Sequence, residues 1–185
     1  MRTLVLILAA LAGPAGAVEI SNFRSGLTCL GTAPDGRSGW VCQPTEKVLV
    51  TDHGTCRYDR EDQPCTWIGF EFDYQRAIPG AELHCVVTQS APGVFGNPEE
   101  KSAEATTEQQ FELPLESTDG HFFNPQYFLF AVRPAGSNTL DVDGRCSFEG
   151  KELFRYRYQL LFPEAMTPQP APNNSFKGMP LRGTP

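Results

Sequence analysis

Histidine, methionine and tryptophan are scarce in this 185-residue chain, at three, three and two. Three histidines leave little material for a histidine-rich metal centre. No C-x-x-C pair is present, which removes the dithiol redox chemistry that such a pair supports. A G-x-S-x-G elbow and a glycine-rich phosphate loop are also missing, and with them the local signatures of a serine hydrolase and a nucleotide-binding enzyme. Positive charge is the minority sign, with 15 Lys and Arg against 22 Asp and Glu, a net charge of −7 and a pI near 5.0. Such a balance offers no broad attraction to phosphate backbones or anionic lipid, so nucleic acid is not an expected partner. Long apolar runs are missing too. Beyond the first 17 residues nothing approaches the roughly 20 uninterrupted apolar residues of a membrane span. No internal repeat occurs. The only helix candidate, Asn97 to Gln110, has a capping Asn97 and Pro98 in the first position but almost no apolar face, and reads as a loop.

What is present begins with a leader. Arg2 precedes an apolar run from Leu4 to Leu11 and small residues reaching Ala15-Gly16-Ala17, the pattern of a secretory signal peptide over residues 1–17. Cleavage after Ala17 removes one positive charge, Arg2, and takes the net charge from −7 to −8. Cys29 is the first cysteine after that point, too far from it for lipid attachment there. The expected location is the periplasm or the extracellular space.

All six cysteines fall after the leader, at positions 29, 42, 56, 65, 85 and 146. An even count in an oxidising compartment reads as a disulfide framework. Sequence does not choose among the fifteen pairings of six cysteines; pairing neighbours gives Cys29 with Cys42, Cys56 with Cys65, and Cys85 with Cys146. In a chain-entropy model the short Cys56 loop would contribute about 2.5–3 kcal/mol and the long Cys85 link about 4.

Period-two alternation supplies the architecture. In Leu153–Phe162, Phe154, Tyr156, Tyr158, Leu160 and Phe162 share one face opposite Arg155, Arg157 and Gln159. In Trp67–Tyr74, Ile68, Phe70, Phe72 and Tyr74 stand opposite Gly69, Glu71 and Asp73. Both are half-buried strands. Weaker strand signals lie at Lys47–Thr51, Ala81–Gln89, Gln110–Glu116, Gln126–Arg133 and Arg145–Glu149. Turn dipeptides separate them at Pro79-Gly80, Pro92-Gly93, Asp119-Gly120, Asp143-Gly144 and Glu149-Gly150. Surface loops are expected at Gly31–Gly39 and Ser90–Pro98. The predicted fold is all-β, a disulfide-stapled antiparallel β-sandwich in one domain over 18–162, with a disordered Pro-rich tail over 163–185. An immunoglobulin-like arrangement is compatible with Cys85 and Cys146 as an inter-sheet bridge, but no Trp follows Cys85 and Gly144 stands where a tyrosine corner needs Tyr.

Candidate chemistry is sparse. His53, His84 and His121, with Asp52 and nearby carboxylates, are the metal candidates, but each reads as an exposed histidine on a strand or turn, and no metal or other cofactor is expected. Asp141–Gly144 has the look of a calcium-loop fragment without its closing Glu, and a hairpin turn accounts for it. The even cysteine count spares no thiol for a Cys-His enzyme. Glu71 and Asp73, two apart on a strand, put two carboxylates on one face at roughly 6–7 Å, a spacing suited to acid/base work. With Arg76, this stretch is similar to a piece of the E-x-D-x-x-E motif of jelly-roll glucanases. Arg76 stands where that motif has its second Glu, so the resemblance implies a chain without that activity. The competing reading makes Glu71 and Asp73 part of a solvated strand face, with Arg155 and Arg157 as their cross-strand partners. The functional expectation is therefore an exported, non-catalytic binding or interaction protein, such as an envelope module or an inhibitor of a secreted hydrolase. Its partner would be a protein or a glycan, and its contact residues are not specified by any motif. Two alternatives stand beside it: a glycan-active or metal-assisted hydrolase using Glu71 and Asp73 or the histidines, and a metal carrier using His53 and His84.

Overall fold

The computed structural model describes residues 18–52, 54–58, 60–93, 105–129 and 136–163. The expected leader over 1–17, residues 164–185 of the expected tail, and His53 lie outside the described residues. Among the described residues ten strands follow one another: β1 (Glu19–Thr32), β2 (Ser38–Pro44), β3 (Lys47–Leu49), β4 (Gly54–Tyr58), β5 (Glu61–Gln75), β6 (Ala81–Gly93), β7 (Thr106–Leu115), β8 (Gly120–Leu129), β9 (Thr139–Phe148) and β10 (Lys151–Leu161). They form two five-stranded sheets, and no helix occurs among the described residues.

The first sheet runs β2-β1-β5, with β8 on the far edge of β5. Cys65 pairs with Gly54 of β4 on one side and Leu129 of β8 on the other, so β4 and β1 lie end to end along one edge of the long β5. The second sheet runs β3-β10-β9-β6-β7. Every ladder is antiparallel except β3 with β10, which is parallel and corrects the expectation of an antiparallel framework.

The two strong alternations bury the faces they predict. Ile68, Phe70 and Phe72 of β5 are fully buried, as are Tyr158 and Leu160 of β10. Their aromatic rings meet between the sheets, with Phe70 and Tyr156, and Phe72 and Phe154, both at 4.9 Å between centroids. Burial of each such side chain contributes about 1.5–3 kcal/mol, and ring pairs in these tilted arrangements add to it. The buried Tyr158 hydroxyl donates to the Gly69 carbonyl at 2.6 Å, a hydrogen bond that ties β10 to β5 across the core. Burial holds the Tyr158 phenol well above its ordinary pKa. It pushes Tyr156 up to about 12, with a small opposing pull from Gln126.

Asp143-Gly144 is not a turn. Both residues sit inside β9, where Gly144 faces Tyr156 across the ladder. A Cβ on Gly144 would lie 2.1 Å from the Tyr156 ring, so the glycine is there to let the aromatic lie over the strand. Three loop expectations shrink in the same way. Thr106–Gln110 opens β7, Ser90–Gly93 closes β6, and only Ala33–Arg37 of the Gly31–Gly39 segment lies outside strands. Strands β1, β2 and β4 carried no legible alternation. In β1 the reason is three register shifts, between Ser21 and Arg24, Leu27 and Thr28, and Cys29 and Thr32, each of which breaks the period of two.

The cysteines form three bridges, Cys29 to Cys42, Cys56 to Cys65 and Cys85 to Cys146. Each joins neighbouring strands of one sheet. Cys85 and Cys146 are directly opposite on β6 and β9, with Cα atoms 4.1 Å apart, close to the spacing of a non-hydrogen-bonded antiparallel pair. That position corrects the inter-sheet bridge entertained above and removes the feature that pointed toward an immunoglobulin-like arrangement. Four sulfur-bearing residues are buried, Cys56, Cys65, Cys85 and Cys146, whereas Cys42 is exposed and Cys29 half-buried. Attack on a disulfide requires access to sulfur. Brief dithiothreitol treatment of the native protein, followed by iodoacetamide and peptide mass mapping, should label Cys29 and Cys42 ahead of the others. Equal labelling of all six would contradict this burial pattern.

Candidate functional site

The outward face of β5 is not the solvated surface that alternation suggests. In a flat sheet, strands stand roughly 4.8 Å apart, and β2 would lie roughly 14 Å from β8. Gly39 of β2 instead abuts Phe123 of β8 so closely that a Cβ would fall 2.3 Å from the ring. The Val41 N–H, also on β2, donates to the Glu71 carboxylate at 3.2 Å. The β1–β2 hairpin therefore curls over β5, and the Cys29–Cys42 bridge staples the hairpin that does so. Gly39 has φ +79°, a left-handed conformation suited to glycine, and the missing side chain makes room for Phe123.

Glu71 is buried beneath this hairpin at 1% exposure. One of its oxygens is paired with Arg24, directly opposite on β1, and the other accepts from Val41. A buried carboxylate is tolerated when it is paired and hydrogen-bonded in this way. Next along the strand, Asp73 is flanked by Asn22 and His121. Asn22 Nδ2 donates to Asp73 Oδ2 at 2.7 Å, and His121 Nδ1 lies 2.8 Å from Oδ1. These two hydrogen bonds, that of Asn22 first, hold the Asp73 carboxyl below the usual carboxylate range. Arg37 completes the group: its Nη1 is 2.6 Å from His121 Nε2, and its Nε donates to Asp35 at 2.7 Å. Arg37 Nη1 lies 2.9 Å from His121 Nδ1 as well, and His121 Nε2 is 3.6 Å from Glu71 Oε2, so the imidazole is ringed by one guanidinium and two carboxylates. Asn22, Phe23, Arg24, Arg37, Glu71, Asp73 and His121 line a hollow of about 400 Å³ at the end of the first sheet.

The residues singled out from the sequence are distributed unevenly. Glu71, Asp73 and His121 come together here, so His121 is part of a charged cluster and the two carboxylates are not part of a bare solvated face. His84 is exposed on β6 and pairs with Glu112 across the β6–β7 ladder at 2.8 Å. Asp52 is exposed just ahead of β4. Asp141 lies on β9, where Gln159 donates to it at 3.2 Å. Arg76, at the position of the missing glucanase Glu, leaves β5 with φ 60° and pairs with Glu19 at 2.6 Å. Arg155 and Arg157 do not reach Glu71 or Asp73. They stand on the outward face of the other sheet, where both bind Asp143, at 2.6 and 2.8 Å. Among the described residues no three His, Cys, Asp or Glu side chains are grouped to hold a metal ion. Asn22, Arg24 and Arg37 were missed because nothing local marks them. Two sit in the irregular part of β1 and the third in a turn.

Asp143 resembles Asp73 electrostatically: desolvation raises its carboxyl, but hydrogen bonds from Arg155 and Arg157 outweigh this and lower it. A carboxylate whose folded pKa is depressed contributes stability that is complete above its unfolded pKa near 3.8–3.9 and disappears as pH falls through the folded value. Urea unfolding is therefore expected to show wild type losing more stability between pH 5 and pH 2 than Asp73→Asn or Asp143→Asn. Parallel acid limbs for all three would contradict the assignment.

A second, larger depression of about 570 Å³ lies on the outward face of the second sheet, between Lys47, Ser90, Asp141 and Arg157. It lacks the buried carboxylate and the Asp-His pair. The fold and the hollow define the chain as a two-sheet, three-disulfide β protein with a charged recess roofed by a hairpin. It matches no protein-family model and no curated protein. No helix among the described residues is long and apolar enough to cross a membrane.

Proposed function

We propose that this chain is an exported, non-catalytic binding protein, a β-sandwich of periplasmic or secreted type whose contact surface is the hollow between β1, β5 and β8. The observation that carries the reading is the state of Glu71. Buried to 1% exposure, with one oxygen on Arg24 and the other on the Val41 N–H, it has the environment of a structural anchor. A general acid or base needs a free oxygen within reach of substrate. The mouth of the hollow offers side chains of another kind, since Arg24, Arg37 and Asp73 are each more than one-third exposed. A few convergent polar side chains in a concave recess fix the orientation of a bound group and give specificity. Export agrees with three disulfides, which persist in oxidising compartments.

The reading is tested with arrays of polysaccharides and peptides probed by wild type, Asp73→Ala and Arg155→Ala. Binding should be lost with the first variant and kept with the second, which lies on the opposite sheet. A glycan-active hydrolase is the alternative, favoured by the convergence of Glu71, Asp73 and His121 in one recess. Release of sugar products by wild type, abolished in a folded Glu71→Gln variant, would replace the binding reading with it.

A further inference from the structure

Of the side chains lining the hollow, Arg37 alone comes from a turn. Asn22, Phe23 and Arg24 belong to β1, Glu71 and Asp73 to β5, and His121 to β8, whereas Arg37 lies just ahead of β2. Its turn closes through the Ala33 N–H to the Arg37 carbonyl at 2.8 Å and the Gly36 N–H to the Ala33 carbonyl at 2.9 Å. The guanidinium is held in two ways. Nε binds Asp35 within the same turn, and only Nη1 reaches across to His121. The two arginines of the hollow are therefore unlike. Arg24 neutralises a buried carboxylate and cannot leave without stranding it. Arg37 keeps its carboxylate partner, Asp35, if its far end swings away, and the contact it gives up is the one with His121.

We propose that Arg37 is an internal stand-in for the ligand: the hollow receives the guanidinium or ammonium group of a basic peptide side chain, which displaces Arg37 from His121 and pairs with Asp73. This rests on the reading of the hollow as the contact surface and specifies the chemistry of what enters it. Charge accounting selects a cation. Arg24 is paired with Glu71 and Arg37 with Asp35, while among the described residues no lysine or arginine is paired with Asp73, whose hydrogen bonds come from Asn22 and His121. With Arg37 withdrawn, the recess presents the Asp73 carboxylate, 41% exposed, which is suited to N–H donors and unsuited to an anion. The net charge of −7 favours the approach of a basic partner. The side chain of Arg37 is 36% exposed, so its far end can be reached from solvent.

A group that occupies its own site weakens an incoming ligand by the fraction of time the site is free. The test is calorimetric titration of the folded protein with N-acetyl-arginine amide, using N-acetyl-citrulline amide as a neutral control of the same shape. Arg37→Ala should bind the arginine compound about tenfold more tightly than wild type. Asp73→Asn should bind neither compound, and citrulline should bind no variant. Arg37→Gln, which keeps a side chain of similar reach without the charge, should resemble Arg37→Ala. Equal or weaker binding by Arg37→Ala, or citrulline binding as well as arginine, would overturn the proposal. If the arrays above reveal partners that depend on Asp73 while Arg37→Ala ignores N-acetyl-arginine amide, this inference falls and the binding reading stands.

Discussion

Replacing Arg24 by alanine is expected to destabilise the protein by about 3–5 kcal/mol at pH 7, among the largest single-residue effects in the molecule. The reason lies in its partner. Glu71 is 1% exposed, and Arg24 is the cation on its carboxylate. Removing the arginine strands a largely buried charge, leaving the Val41 N–H bonded to it and His121 Nε2 3.6 Å away. Arg24 itself is 46% exposed, so the loss does not come from its own packing. Urea unfolding of the two proteins at pH 7 measures the deficit. A loss under about 1 kcal/mol at pH 7, typical of an exposed ion pair, would show that the hairpin does not seal Glu71 from solvent.

Removing the Cys85–Cys146 bridge should be comparably severe. The bridge closes a loop with a sequence separation of 61, the longest of the three. In the chain-entropy model, opening such a loop releases about 4 kcal/mol of denatured-state freedom. Alanine at both positions is the suitable replacement, because both residues are essentially buried and serine would bring hydroxyls into the core. For a domain of this size the loss corresponds to roughly 10–15 °C in Tm. The Cys29→Ala/Cys42→Ala pair, closing a separation of 13, should lower Tm less. Its effect should be concentrated in amide exchange of β2, since that strand depends on the staple to remain over Glu71. A smaller loss for the long loop than for the short one would contradict a stabilisation set by loop closure.

Much of this fold was readable where strands are regular. The alternation in Leu153–Phe162 and Trp67–Tyr74 identified β10 and the core half of β5, together with the side chains that fill the space between the sheets. The cysteine count implied a cross-linked framework. Reading failed wherever a residue's role depended on something distant. Asp143-Gly144 carries turn chemistry, yet it lies mid-strand because the Tyr156 ring needs a residue without a side chain opposite it. Arg155 and Arg157 were matched to the wrong carboxylates, because alternation assigns a residue to a face without saying which sheet that face belongs to.

Glu71 shows the boundary most clearly. Local alternation determines that it points away from Phe70 and Phe72, and this is a property of backbone geometry that neighbouring residues settle among themselves. Whether that second face meets water or protein depends on how far the first sheet curls, and the curl is set by bulges in β1, the glycine at 39 and Phe123 on β8. The regular strands, β10 and the core half of β5 above all, the faces they bury and the stock of cross-linking sulfur were thus determined by sequence alone, because short-range sterics and composition govern them. The hollow, its charge balance and the roof over Glu71 were decided only in the folded molecule, where residues 22, 37, 71 and 121 first become neighbours.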